Sequence, residues 1–418
     1  MVLTPLHVAR EYHEGRGAKG AFLLGDTLDQ LDALSQQLDG QVKLIYIDPP
    51  FLTGTRFSMR VRVGEAEWKT GKGSLILETF QDHKNREDFL AMMRRVLSAV
   101  HRLLRNDGLL FVHIDYRTHP HLRLMLDDIF GESNFLNEII WVYQTGGRTQ
   151  RYFSRKHDVI LFYRKSADYD FNAEEVMTTP VAPRTNHMRR HVDPDGRVYR
   201  SIRSNGRVYT YYDDDPVAPT DVWNDLHHLQ QRDPERTGYD TQKPLSLLNR
   251  IVRCGSRKGD LVVDLFAGSS TTLEAAAING RNFLGVDRCP MTLNIARRRL
   301  SGTEYVLCVP HWSDAPHCEA EISMGVGFYH VTLEAFRLHA PELNREFVGL
   351  DGVDNWSVGY LRPDGYHCMA EFARSRRSPA LEPTLSVPVF SGDLAIGVAS
   401  VTGKSYYYRI PLSKFDAN

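Results

Sequence analysis

Leu44-Ile45-Tyr46-Ile47-Asp48-Pro49-Pro50-Phe51 is the stretch that decides how the chain folds. Four apolar residues in a row read as a strand buried on both faces, the kind found in parallel sheets. Pro49 and Pro50 cannot continue that strand or donate to its ladder, so the backbone turns out of the sheet with its carbonyls unpaired and pointing into a cleft. Ligands bind in clefts at the carboxyl ends of such strands. A carboxylate, bare carbonyls and an aromatic ring suit one task there, which is holding a flat, neutral base by its exocyclic amine. The acceptors take the N–H bonds, the ring stacks on the base, and the amine lone pair is left free to attack.

A second centre lies more than two hundred residues later, in Gly259-Asp260-Leu261-Val262-Val263-Asp264-Leu265-Phe266-Ala267-Gly268-Ser269-Ser270-Thr271-Thr272. A strand feeds a turn of small residues and then a helix. Small residues let the backbone approach a ligand closely, and the helix start offers N–H groups to an anion. Asp287 ends the next short strand, where a carboxylate can take both hydroxyls of a ribose. Together these describe a pocket for a nucleoside-bearing cofactor.

The motif pair Asp-Pro-Pro-Phe and Phe-Ala-Gly-Ser-Ser, joined by Glu235-Arg236-Thr237-Gly238-Tyr239-Asp240-Thr241-Gln242-Lys243-Pro244, resembles the amino-group DNA methyltransferases that use S-adenosylmethionine. The catalytic motif comes first and the cofactor motif last, as in their β class, which includes the modification subunits of type III restriction systems and their solitary relatives. The resemblance covers residues 20 to 300. It implies a doubly wound, Rossmann-like α/β sheet with circularly permuted motifs. Asp48, Pro49, Pro50 and Phe51 would be catalytic; Asp26, Lys243, Asp264, Phe266, Ala267, Gly268, Ser269, Ser270, Thr271 and Asp287 would bind S-adenosylmethionine. Asp26 also reads as a plain helix N-cap, and both roles can hold. Ser270 departs from the family pattern, because a second glycine is usual there and a serine Cβ restricts φ. The resemblance implies transfer to adenine N6, with cytosine N4 as the alternative, since aspartate at the first motif position is more typical of the adenine enzymes. A DNA-binding docking subunit that has lost turnover is the reading from another class. Duplex DNA is the implied partner, and a second copy of the chain or a restriction endonuclease is left open.

The rest of the chain fits this frame. Phe89, Met93, Val96, Leu97, Val100 and Leu103 recur at helical spacing before an apolar strand at 109–114, and Leu122, Met125, Leu126 and Ile129 before another at 138–143. This alternation predicts a mostly parallel sheet. His113 and Asp115 stand at a strand end beside the catalytic motif, but amine attack on a sulfonium methyl needs no strong base, so neither is assigned as one. The rhythm breaks over 144–240, an insertion that is either a large surface decoration or, as the resemblance implies, a target-recognition region between a catalytic half (1–143) and a cofactor half (241–303). From Trp141 to Tyr212 thirteen Arg or Lys stand against seven Asp or Glu. Arg148, Arg151, Arg155 and Lys156 are the candidate DNA contacts. Residues 1–20 read as a loosely held arm, and Leu52 to Gly73 as a mobile loop whose Arg56, Arg60 and Arg62 suit phosphates. Residues 304–418 read as a strand-rich C-terminal domain.

Composition sets the outer bounds. With 418 residues, 42% of them apolar and 25% charged, the chain can bury a large core, and its net charge of −1 does not by itself announce a nucleic acid. No apolar run approaches the ~20 residues of a membrane span, so a cytoplasmic protein is expected. The five scattered cysteines argue against a disulfide framework. No metal is expected, because Cys308, His311, His317 and Cys318 fit ligand spacings poorly.

Overall fold

The computed structural model describes residues 1–71, 75–82, 85–143, 149–178, 188–230 and 232–412. Its centre is a run of six parallel strands in the spatial order Glu304–Cys308, Lys19–Leu24, Asn282–Asp287, Leu261–Asp264, Val42–Ile47, Leu104–Ile114. His157–Arg164 then pairs antiparallel with Leu104–Ile114, and Phe135–Val142 antiparallel with His157–Arg164. The chain lays down Lys19–Leu24 and Val42–Ile47 with two places between them, and two strands from beyond residue 260 fill the gap. The two motifs read from the sequence therefore end on adjacent strands, with Asp264 paired to Tyr46.

The all-apolar reading of Val42–Ile47 follows from burial on both faces. Leu44 and Tyr46 join a core with Leu248, Ile251 and Leu273, whereas Ile45 and Ile47 join Leu31, Leu97 and Val100 on the other side. Helices Leu245–Gly255 and Thr271–Ile278 cover the first face; Thr27–Leu38, Arg86–Leu103 and His119–Phe130 cover the second. This is the expected doubly wound sandwich.

Two segments differ from their sequence reading. Residues 1–20 are no loose arm: Thr4–Leu6 pairs with Ser405–Arg409, and Arg10–His13 lies between Glu304–Cys308 and Gly365–Ala373. The polar character that suggested an arm belongs to a buried network, in which Glu11 accepts from Arg297, Tyr407 and the His13 ring. The stretch after the catalytic motif is no plain loop either. Arg56–Val61 and Leu75–Gln81 form a hairpin, with helix Gly64–Thr70 between them, while residues 72–74 lie outside the described residues.

Within 144–240, Arg189–Val192, Val198–Ser204 and Arg207–Tyr212 make a small antiparallel sheet. Its second turn is Asn205-Gly206, both at left-handed φ (49° and 77°), as a tight hairpin requires. Beyond 304 the chain is strand-rich. Val353–Arg362, Gly365–Ala373, Asp393–Ser400 and Ser405–Arg409 at one side, and Val222–Trp223 beside Phe135–Val142 at the other, extend the central sheet to fifteen strands among the described residues. His317–Met324, Phe328–Ala340, Arg345–Phe347 and Thr384–Pro388 form a second sheet around Phe336, Trp356 and Tyr408. Glu304–Cys308, placed just past the expected boundary at 303, lies between Lys19–Leu24 and Arg10–His13. No helix among the described residues is long and apolar enough to cross a membrane.

Candidate active site

Asp48 follows its strand into a cleft, and its two carboxylate oxygens are not equivalent. Oδ2 lies 2.6 Å from the Lys243 ammonium, with both side chains less than one-sixth exposed. Oδ1 is buried with no hydrogen-bond partner among the described residues. A carboxylate out of water without full pairing is costly, and such orphans gather where a ligand completes the set. Lys243, expected at the carboxylate end of a cofactor, thus rests on Asp48, and its ammonium stands 5.1 Å from the centre of the Phe51 ring.

Phe51 packs against His113, ring centres 6.1 Å apart and 28° from parallel. His113 is fully buried and both its nitrogens are engaged, Nδ1 with the Tyr46 hydroxyl at 2.9 Å and Nε2 with Asp158 at 3.3 Å. Asp115 accepts from Arg117 within its own turn. Under Phe51 there is therefore a fixed polar support, which holds the ring rather than facing the cleft with a free nitrogen.

The glycine turn is built with similar economy. Asp264 accepts from the Phe266 amide at 2.9 Å and the Thr272 hydroxyl at 2.5 Å. Burial pushes its carboxyl up to about 7; these two bonds pull the other way, and the charges of Asp48 and Asp287 add to the rise. Asp287 takes the Gly268 amide on one oxygen and the Cys289 amide on the other, each at 2.8 Å, and burial raises it too. Gly268 has φ +45°, and a Cβ there would meet the Tyr239 ring at 3.2 Å. Ser270, the departure from a glycine pattern, takes φ 57°, the left-handed region that glycine adopts freely. Its Oγ is buried without a hydrogen-bond partner among the described residues. Asp26 caps its helix by accepting from the Leu28 amide at 2.9 Å, with Arg288 at 3.8 Å from its second oxygen.

One cavity gathers most of the residues singled out in the sequence. Asp26, Asp48, Pro49, Pro50, Phe51 and Lys243 line it, together with Asp264, Phe266, Ala267, Gly268, Ser269, Thr271 and Asp287. Ser270 is not part of its wall. Arg151, Arg155 and Lys156 lie outside it, and Arg148 falls outside the described residues. Arg155 rests over Tyr116 and Tyr152, at 4.1 Å and 5.0 Å from the ring centres.

The sequence reading missed the apolar wall. Phe57 and Phe80, rings 4.8 Å apart, come from the hairpin whose first strand falls in the stretch read as a loop, and Met92 and Val96 from the helix that follows it. Tyr239 is buried against Gly268 and joined to the hairpin by a bridge with Met59. Asp240 accepts from the Ser58 amide and hydroxyl, at 3.1 Å and 3.0 Å. Tyr239 stood inside the motif quoted above, so a signal existed; Phe57 and Phe80 carried none, because their pairing depends on a hairpin register.

The donor set suits a nucleoside cofactor with a charged tail. Apolar side chains and the carboxylates of Asp26 and Asp287 line the cavity together, and at Gly268, with its left-handed φ, a side chain would press on the Tyr239 ring.

Comparison with known proteins bears on this geometry. The family model for N6/N4 DNA methylases matches residues 42–298. The chain is 28% identical over 307 residues to the type II methyltransferase M.EcaI of Enterobacter cloacae, an alignment covering 62% of this chain and 65% of that protein. It is 27% identical to the DNA adenine methyltransferase YhdJ of Escherichia coli, covering 66% and 81%, and 24% to the type III StyLTI Mod subunit of Salmonella typhimurium, covering 63% and 50%. The chain thus spans less than two thirds of the length of M.EcaI and half that of the Mod subunit. Among solved structures, TTHA0409 from Thermus thermophilus in complex with S-adenosyl-L-methionine aligns with 70% of this chain and all of that one, at 21% identity and a TM-score of 0.43. The cytosine-N4-specific PvuII DNA methyltransferase aligns with 69% and 87%, at 15% identity and a TM-score of 0.45.

Proposed function

The chain belongs to the N6/N4 DNA methylase family, and we propose that it moves a methyl group from S-adenosylmethionine to the exocyclic N6 amine of an adenine turned out of duplex DNA. The observation that carries this reading is that Asp48, whose Oδ1 has no hydrogen-bond partner among the described residues, lines the same cavity as the Gly268 turn.

S-adenosylmethionine would lie along the turn from Phe266 to Thr271, with Asp26 and Asp287 at its adenosine end, and would supply a methyl group on a sulfonium that is already a good leaving group. Lys243 has three donor hydrogens, so its contact with Asp48 leaves two for the carboxylate of that cofactor. The same contact fixes Oδ2 of Asp48 and leaves Oδ1 to accept one amine hydrogen. The Pro49 carbonyl, which no proline N–H in this turn can satisfy, accepts the other. Phe51, supported from behind by His113, stacks on the base and replaces part of the stacking lost when the nucleotide leaves the duplex. Positive charge grows on the amine nitrogen as it attacks, and two acceptors already aimed at its hydrogens stabilise that charge without having to reorganise. Holding both reactants in one cavity contributes the orientation term.

Adenine is preferred over cytosine because aspartate opens the motif. YhdJ is named as an adenine enzyme and the PvuII protein as a cytosine one, so both chemistries occur among the similar proteins. Incubating the protein with labelled S-adenosylmethionine and unmethylated genomic DNA, then digesting the DNA to nucleosides, tests the assignment. Label in N6-methyladenine is expected. Label in N4-methylcytosine would keep the mechanism and overturn the base, and DNA bound without any transfer would favour the docking subunit.

A further inference from the structure

The segment leading into the His157–Arg164 strand carries aromatic rings that the protein does not cover. Phe153 is 98% exposed and Tyr152 59%, and Tyr116, 46% exposed, stands near them on the turn after Leu104–Ile114. The Arg155 guanidinium lies over both tyrosines, and Arg117 lies 4.8 Å from the Tyr116 ring centre. Asp115, the carboxylate in that turn, is already paired with Arg117. A phenylalanine ring left in water forgoes the stabilisation that its burial would bring. Rings interleaved with guanidiniums are what stack on nucleobases and hold phosphates.

Position links this patch to the reaction. His113 is the residue on which Phe51 rests, and Tyr116 follows it by three. Leu104–Ile114 ends where its antiparallel neighbour begins, with Ile114 opposite Val159. Phe153 and Arg155 thus lead into the sheet from the rim on which Asp48 stands, with Arg155 over Tyr116 and neither residue lining the cavity. When a nucleotide turns into that cavity it leaves a gap in the duplex, and apolar side chains inserted between bases offset such unstacking.

We propose that Phe153 enters the base stack in place of the nucleotide that turns toward Asp48, with Arg151 and Arg155 on the flanking phosphates. This rests on the reading that the substrate is a base in duplex DNA. A second copy of the chain is a poorer occupant, because a self-interface would bring the guanidiniums of Arg117, Arg151 and Arg155 in two copies together.

Two duplexes test the wedge, both built on the site that the wild-type protein methylates in genomic DNA. One has the normal partner opposite the target base, and the other an abasic residue, so that its target is already poorly stacked. Phe153→Ala should slow single-turnover transfer on the paired duplex ~10- to 100-fold and on the abasic one less than ~3-fold, since unstacking costs a few kcal/mol only where a stack exists. Cofactor affinity and sedimentation should match wild type, and Phe153→Trp should keep the paired-duplex rate within ~3-fold, because any large ring can fill the gap. Equal loss on both duplexes, or none on either, would overturn the wedge. A fall in molecular mass with Phe153→Ala would overturn it in favour of a self-interface. No transfer by the wild-type protein to either duplex would remove the underlying reaction, a result distinct from failure of the wedge.

Discussion

At the end of the Val42–Ile47 strand Asp48 leaves one carboxylate oxygen without a partner, whereas at the end of the neighbouring Leu261–Asp264 strand Asp264 commits both oxygens to its own turn. The strands are paired in register, and the two aspartates line one cavity. Residue type and position in the fold are nearly the same, and the surroundings separate the roles. Asp48 has a lysine on one oxygen and, among the described residues, no partner on the other, as accepting from a substrate would require. Asp264 is 2% exposed, is bonded to Phe266 and Thr272, and carries a carboxyl raised by burial; it shapes the turn that another molecule would contact.

That contrast can be broken most sharply by removing each carboxylate. Asp48→Ala should lower methyl transfer ~10²- to 10³-fold, the usual size of losing one aligned electrostatic contact, while cofactor binding stays. Asp264→Ala should do the reverse, weakening cofactor binding about tenfold through a loosened turn with the unpaired Thr272 hydroxyl and Phe266 amide left buried. Similar losses of both functions in both variants would erase the distinction.

A second test uses pH. The Asp264 carboxyl is raised from 3.8 to about 7 in the folded protein, so the stability it contributes is present below its unfolded value and lost as pH rises through about 7. Asp264→Asn cannot ionise there and keeps one acceptor and one donor for the same turn. Between pH 5 and pH 8 the wild-type protein should therefore lose about 3 kcal/mol of stability relative to Asp264→Asn, because ~1.4 kcal/mol goes with each pH unit from 5 up to the folded value of about 7. Thermal melting of both proteins at the two pH values measures the difference; a constant gap would mean that Asp264 is ionised throughout.

The smallest effect concerns Ser270. Its left-handed φ of 57° and unpartnered Oγ both disfavour serine. Ser270→Gly should raise stability by about 1 kcal/mol, the cost of holding a side chain in that region, read as a shift in Tm. Cofactor affinity should hold, since Ser270 does not line the cavity.

The sequence disclosed the cavity better than its covering. Asp48, Pro49 and Gly268 act through local backbone rules: a proline ends a strand wherever it stands, and a glycine takes a left-handed φ without a partner. Those signals survive in a linear reading. The hairpin carrying Phe57 and Phe80 does not, because its residues lack a clean alternation and its strands are separated by a helix. The first twenty residues hid for a related reason. Glu11 looks like a surface residue until Arg297 and Tyr407, nearly three and four hundred positions away, are brought against it. Lys243 shows a third case: its place in the motif was legible, but the nearest charge it would find, Asp48, lies 195 positions earlier and became a neighbour only through the strand order.

The most direct test of the account is the rate at which label from S-adenosylmethionine enters unmethylated genomic DNA, with wild type and Asp48→Ala compared at saturating cofactor. Rapid labelling by wild type and a loss of ~10²-fold or more in the variant, with cofactor still bound, is the predicted result. Equal labelling by the two proteins, or none by a wild-type protein that binds the cofactor, would contradict it.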